Sequence, residues 1–122
     1  MTKLKHNSNI YIDQIRLFRA AEDDYGEIAY TMIYEGAARL EEAKPYVADG
    51  TLIREYVVFV PDDSLQTIAT DKLDIKTACK DWGSLLNEDN TPLSPNNLNE
   101  VIADGFNVPN FGTKIYLKSI YR

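Results

Sequence analysis

The amino-acid sequence predicts a mainly β fold, with an α+β arrangement as the alternative. The chain alternates apolar and polar residues in short runs, separates those runs with Asp, Gly and Pro, and carries 8 tyrosines in 122 residues. A period of two is typical of half-buried strands, and tyrosine suits half-buried sheet faces. We therefore expect a small antiparallel β-barrel or curled sheet of about five or six strands, with one short helix in a long irregular insertion.

The length of the chain favours a single domain. Residues 1–9 are polar and are expected to form a flexible N-terminal arm. Residues 10–122 are expected to form one barrel-like domain. The stretch from about 81 to 110 is rich in Asn, Asp, Pro and Gly, which identifies it as the irregular insertion.

The first two strands are predicted to form a hairpin. The run IYIDQIRLFRA has a strand-like rhythm that places Ile15 and Leu17 on one side. EDDYG then supplies a turn, and EIAYTMIYEG resumes the pattern with β-branched and aromatic residues. In this second run, four side chains are expected to share one face: Ile28, Tyr30, Met32 and Tyr34.

The next segment, EGAARLEEAKPYVADG, leaves two possibilities open. Its alanines, Leu40 and two glutamates are good helix formers. Gly36 before them and Pro45 after them leave room for about two turns, and so short a helix is marginal without packing. An extended continuation of the second strand, bent at Gly36, is the other possibility.

Two further strands are well marked. REYVVFVP contains the strongest run of sheet-forming residues, Tyr56 to Val60, and Pro61 ends it. TKIYLKSIYR alternates to the end of the chain, with Ile115 and Leu117 on one side, and is expected to close the sheet or barrel. Between them, LQTIATDKLDIKTA is expected to hold one or two short strands.

The one expected helix lies inside the insertion. Ser94 is a suitable N-cap, Pro95 suits the first helical position and Gly105 suits the stop. The predicted buried face of this helix consists of Leu98, Val101 and Ile102.

The charge balance disfavours binding to nucleic acid. The chain has 13 Lys and Arg against 19 Asp and Glu, a formal charge of −6, whereas affinity for phosphates comes from concentrated Lys and Arg. Cys79 is the single cysteine, which excludes an internal disulfide. It is expected to be a small buried group in a cytosolic protein.

The sequence contains no catalytic or metal-binding pattern. The only histidine is His6, in the expected arm, so Ser-His-Asp and Cys-His arrangements lack a base. The acids of EDDYGE are contiguous, whereas a calcium loop needs oxygen ligands at alternate positions. The 6 glycines are scattered and match neither phosphate-binding motif. We therefore expect no enzyme activity, no cofactor, and no catalytic, cofactor-binding or metal-binding residue.

The order of these features follows a recognisable pattern. DQIRLFRA leads to the acidic turn EDDYGEIAYT, then come MIYEGAARLEE, REYVVFVPDD and ATDKLDIKT, and TKIYLKSIYR ends the chain. This order resembles the head-closure, or stopper, proteins of tailed bacteriophages, which are small head–tail connector subunits. The resemblance covers most of residues 10–76 and 113–122. The insertion and the N-terminal arm have no counterpart.

The resemblance implies a structural protein of the virion neck, made in the cytoplasm of the bacterial host. Such subunits assemble as a homo-oligomeric ring, a dodecamer by this resemblance, between the portal or adaptor protein and the tail or tail-terminator protein. The ring helps to retain packaged double-stranded DNA, which passes through without specific binding, and no membrane is involved. An acidic channel suits this role because it repels phosphates.

Two loops are candidate contact surfaces with a neighbouring subunit or the channel. The first comprises Asp23, Asp24, Tyr25, Gly26 and Glu27, and the second comprises Asp62, Asp63 and Ser64. The same acids support an alternative function. An acidic inhibitor or immunity-type protein would use the clusters EDDYGE and VPDDS to occupy a basic groove of a nuclease or defence enzyme.

Overall fold

A computed structural model describes residues 10–42, 45–53 and 55–117, and within them the chain is mainly β, as predicted. The strands in chain order are β1 (Asp13–Glu22), β2 (Ile28–Glu42), β3 (Tyr46–Ala48), β4 (Thr51–Ile53), β5 (Tyr56–Val60), β6 (Lys72–Lys76), β7 (Asn99–Glu100), β8 (Phe106–Val108) and β9 (Gly112–Leu117). The expected arm, residues 1–9, and the last part of the expected closing strand, residues 118–122, lie outside the described residues.

The main sheet has seven strands in the order β7-β6-β1-β2-β5-β9-β8, and every pairing in it is antiparallel. Strands β3 and β4 form a separate two-stranded hairpin. The sheet curls but does not close, so the barrel prediction is wrong and the curled sheet is the form adopted. The reason is that β7 is two residues long, and the only link from this edge to β9 in the described chain is the isolated bridge Val101↔Leu117.

The inner face of the curled sheet holds the core. The fully buried side chains there come from five parts of the chain and include Ile15, Leu17, Val58, Leu73, Val101, Ile115 and Leu117. These positions alternate with exposed or half-buried residues along β1, β5 and β9, as the sequence pattern predicted for β1 and β9. Burying each side chain of this size contributes about 1.5–3 kcal/mol, so the core is the main source of stability.

A bulge changes the faces of the first hairpin. Leu17 pairs with Tyr34 while Phe18 pairs with Met32, so β2 has one extra residue, Ile33, at this point. Directly paired residues share a face, which puts Tyr34 with Leu17 on the inner face of the sheet and Met32 with Phe18 on the opposite face, where Phe18 is also fully buried. The prediction that Tyr34 shares a face with the three alternate residues before it is therefore wrong.

The ambiguous segment after Gly36 is extended, because β2 continues without interruption to Glu42. Tyr34 lies across Gly36, and a Cβ at that position would meet the Tyr34 hydroxyl oxygen at 2.7 Å. Pairing with both β1 and β5 replaces the backbone hydrogen bonds that a short helix would have made. Helix propensity is a weak prior, and sheet pairing overrides it here.

The predicted helix in the insertion is also wrong. Only Pro95–Asn97 form a 3₁₀ turn, and the Ser94 side chain makes no capping hydrogen bond. The chain then becomes extended, because Asn99–Glu100 pair with the edge of β6. Asparagines are weak helix formers, so the edge of the sheet competes successfully for this stretch.

Two further observations complete the fold. The thiol of Cys79 is exposed rather than buried, since it follows β6 in an irregular segment that lies away from the core. In the described part of the chain there is no helix long and apolar enough to cross a membrane.

Candidate functional site

The first candidate loop is the tip of the β1–β2 hairpin, residues 23–27, called the acidic tip below. The Asp23 side-chain Oδ1 accepts hydrogen bonds from the backbone N–H of Tyr25, 2.8 Å, and of Glu27, 2.9 Å. Gly26 has a φ of 80°, which a residue with a side chain adopts only with strain. The Asp23 carboxylate therefore fixes the turn, and the Tyr25 side chain is presented to solvent with 91% of its surface exposed.

The hairpin that carries the acidic tip is longer than the strands beside it. β6 pairs with β1 only at residues 14–18, and β5 pairs with β2 only at residues 39–42. Within the described residues, the edge of β2 at residues 28–38 has no neighbouring strand on the side away from β1. An unpaired strand edge presents backbone donors and acceptors to whatever approaches it.

The second candidate loop is tied to its own chain. Asp62 Oδ1 accepts hydrogen bonds from the Ser64 backbone N–H, 2.9 Å, and hydroxyl, 2.7 Å. Asp63 Oδ2 accepts one from the Asn110 backbone N–H at 2.8 Å. These acids hold the connection after β5 against the β8–β9 turn. The loop follows β5, which pairs with β2 at residues 39–42, at the end of β2 far from the acidic tip, so the fold does not bring the two candidate loops together.

A buried ion pair anchors β1 to the start of β6. Arg19 donates from Nε, 3.0 Å, and Nη2, 2.9 Å, to the Asp71 carboxylate, whose side chain is 0% exposed. The Ile68 backbone N–H also donates to Asp71 at 3.0 Å. The hydrogen bond to Asp71 raises the pKa of Arg19 above its ordinary value, so the guanidinium stays charged. Both oxygens of the Asp71 carboxylate already accept hydrogen bonds within the chain, so this group has a structural role.

A second buried carboxylate, Asp74, accepts three backbone hydrogen bonds. They come from Ile75, 3.0 Å, Gly83, 2.7 Å, and Ser84, 3.1 Å. Burial raises the pKa of Asp74 above its ordinary value, although these N–H groups act in the opposite direction. Asp74 thus fastens the start of the insertion to the outer face of β6, which is a structural role.

The sequence reasoning missed a cavity of about 420 Å³ on the outer face of the sheet. Register places Arg39 beside Phe59, and Phe59 beside Lys114, across β2, β5 and β9. Both cations lie over the Phe59 ring, with Arg39 Cζ 4.6 Å and Lys114 Nζ 5.6 Å from its centroid. Tyr11 and Phe111 contribute to the walls. We call this site the basic-aromatic pocket.

The cations of the basic-aromatic pocket retain binding capacity. Arg39 Nη1 pairs with Glu41 at 2.9 Å, but the Arg39 side chain keeps 34% of its surface exposed. Lys114 forms no salt bridge within that part of the chain. No short sequence motif signals this pocket, because its three central residues lie on different strands and only register makes them neighbours.

A second cavity lies beside the Arg19–Asp71 ion pair. This cavity of about 490 Å³ lies between residues 69–72 and 100–102, but its buried carboxylate, Asp71, is the one held by Arg19. Across residues 10–42, 45–53 and 55–117, no three His, Cys, Asp or Glu side chains are grouped to hold a metal ion.

Comparison of the chain with protein-family models, with curated proteins and with solved structures finds no match.

Proposed function

We propose that the protein is a structural assembly subunit that acts through protein contacts and not through catalysis. The observation that carries this proposal is the β1–β2 hairpin, which extends past its neighbours and leaves residues 28–38 of β2 unpaired along one edge in the described chain. Soluble proteins usually shorten or cover such an edge, because it otherwise pairs with other chains. An edge of this length is expected where assembly is the purpose.

The specific assembly we propose is the ring of a tailed-phage head–tail connector, between the portal or adaptor protein and the tail. The sequence resemblance, the antiparallel curled sheet and the net charge of −6 support this choice. The exposed β3–β4 hairpin adds a second projecting element, with Val47 and Leu52 paired and both exposed. An isolated two-stranded hairpin is marginally stable in water, so contact with another subunit would favour it.

The alternative, an acidic inhibitor of a basic enzyme, has less support. Charge mimicry needs carboxylates that are free to meet a basic groove. Asp23, Asp62 and Asp63 instead accept hydrogen bonds that hold their own loops in shape. These three acids therefore hold turns of their own chain, which leaves fewer carboxylates of the two clusters for a basic groove.

The test is the assembly state of the full chain, alone and mixed with the proteins of neighbouring genes. We expect light scattering and negative-stain microscopy to show rings with a central channel. A protein that stays monomeric in every mixture contradicts the proposal. Capture of one basic nuclease, with binding that weakens as salt is raised, would instead support the inhibitor function.

Variants of the acidic tip provide a second test of assembly. Asp24→Ser with Glu27→Ser keeps the Asp23 side chain that fixes the turn, so folding should be unchanged. We expect thermal unfolding within a few degrees of wild type and reduced ring formation or DNA retention in particles. Glu88→Ser, at another exposed acid, is the matched control. Normal assembly of infectious particles by the double variant would mean that the tip is only a turn.

A further inference from the structure

We infer that the acidic tip of one copy binds the basic-aromatic pocket of a second copy, head to tail. This inference rests on the proposed function as an assembly subunit and names the contact that would build the assembly. Both surfaces are present on one chain, and their charges and shapes are complementary. The occupant of the pocket is therefore a second copy of this protein.

The two surfaces cannot meet within one molecule. Arg39 lies on the same strand as the hairpin tip, about 11 residues beyond Ile28, and a strand rises roughly 3.3 Å per residue, which separates them by about 36 Å along β2. Pairing with β1 along residues 28–38 stiffens this stretch. The tip can therefore reach only the pocket of another molecule.

The charges of the two surfaces are opposite. The tip brings the carboxylates of Asp24 and Glu27, neither of which has a side-chain hydrogen bond or ion pair in the described chain. The pocket brings the Arg39 guanidinium, whose side chain is 34% exposed, and Lys114, which has no salt bridge in the described chain. Bringing such groups together increases the association rate and fixes orientation.

The apolar groups also match. Tyr25 stands at the tip with 91% of its surface exposed, and the turn that presents it is already held by Asp23. The pocket has Phe59 between its cations and Phe111, 62% exposed, at its rim. A cavity of about 420 Å³ falls within the range of about 300–1,000 Å³ that suits small ligands, and a rigid aromatic side chain is a typical interface anchor.

Another segment of the chain, residues 1–9, is a poorer occupant. It carries Lys3 and Lys5 and no acid, so its charge repels Arg39 and Lys114. The tip is the better electrostatic partner.

A tip-to-pocket contact is heterologous, because the two surfaces differ. Heterologous contacts propagate from copy to copy and give a closed ring when the rotation between copies permits closure. The same contact accounts for the length of the hairpin, which must reach across one subunit boundary.

Variants on each surface test the contact. Tyr25→Ser removes the anchor, and Lys114→Glu reverses a pocket charge; Lys114→Gln is the milder substitute if that variant does not fold. We expect each to weaken self-association about thirtyfold, the threshold for an interface hot spot, by sedimentation velocity. Glu88→Ser and Lys76→Glu, at exposed sites elsewhere, are the controls and should stay within about threefold of wild type.

Mixing the variants tests the direction of the contact. Copies with Tyr25→Ser keep an intact pocket, and copies with Lys114→Glu keep an intact tip. The mixture should therefore form heterodimers and nothing larger, because each pair has one working contact. Large oligomers from the mixture, or no association at all, would contradict the head-to-tail arrangement.

The outcomes separate this inference from the proposed function. The comparison is made in whichever mixture gives wild-type oligomers. If wild type assembles and the tip and pocket variants assemble equally well, the inference is wrong and the assembly function stands. If wild type fails to assemble alone and with its neighbours, both are wrong.

Discussion

Replacing Arg19 with Met is expected to reveal a large electrostatic contribution to the stability of this fold. The side chain of Met keeps the apolar stem but removes both hydrogen bonds to Asp71. The Asp71 carboxylate would then be fully buried and charged, and its one remaining hydrogen-bond donor among the described residues would be the Ile68 backbone N–H. The variant therefore leaves a carboxylate buried without its cation.

The magnitude follows from the burial of the two partners. Removing one member of a buried ion pair typically costs about 3–5 kcal/mol, because the other charge stays out of water. The Arg19 side chain is 34% exposed, and Ile68 still donates to Asp71, so the lower end applies, about 3 kcal/mol. With a urea m-value of about 2 kcal/mol/M, the unfolding midpoint would fall by about 1.5 M.

The assay is equilibrium unfolding in urea, followed by far-UV circular dichroism. Arg16→Met is the matched control, three positions earlier on the same strand. Arg16 pairs with Glu35, whose side chain is 52% exposed, and stacks on Trp82. It also lies near the buried Asp74, but that carboxylate keeps its three backbone donors when Arg16 is removed, so the loss of Arg16 should cost about 1 kcal/mol. Equal losses for the two variants, at unchanged m-value, would refute the account of Asp71 as a charge that depends on Arg19.

Two further predictions concern a buried acid and a glycine. Since burial raises the pKa of Asp74, the folded state binds its proton more tightly than the unfolded chain, and the contribution of Asp74 to wild-type stability should fall as pH rises above about 3.9. Asp74→Asn should remove this pH dependence. It should also cost about 1–3 kcal/mol at neutral pH, because the Asn side-chain NH2 would face the Ser84 backbone N–H and two donors form no hydrogen bond. Identical pH slopes of the urea midpoint for wild type and variant would contradict this prediction. Gly112→Ala should cost about 3 kcal/mol, because its φ is 149° and a Cβ would collide with the Val60 carbonyl oxygen. Gly50→Ala is the control, since Gly50 has a φ of 78° with open space around it, and it should cost about 1 kcal/mol. Equal urea midpoints for the Gly112→Ala and Gly50→Ala variants would disprove the collision.

Strands with strong local signals were predictable. Alternation identified β1 and β9, a run of strong sheet-forming residues identified β5, and the acidic Gly-containing turn identified the first hairpin. The helix prediction was wrong because it rested only on neighbouring residues. Ser94 and Pro95 suit a helix start, but nothing nearby in the sequence reveals that the edge of β6 pairs with Asn99–Glu100. The bulge at Ile33 was missed for the same reason, since it becomes visible only when both strands are placed side by side.

The two surfaces of the candidate site also differ in how far the sequence predicted them. The acidic tip was found from five consecutive residues, because a turn is specified by the residues within it. The basic-aromatic pocket was missed, because Arg39, Phe59 and Lys114 meet only through the register of three strands.

The sequence by itself determined the β class, the alternation of buried and exposed residues, and the turn that displays Tyr25, because each depends on neighbours within a few residues. The tertiary structure alone decided that the sheet stays open, that Arg19 meets Asp71 from 52 residues away, and that two cations gather around Phe59. These features arise from long-range pairing, in which a shift of one residue moves every side chain of a strand to the opposite face.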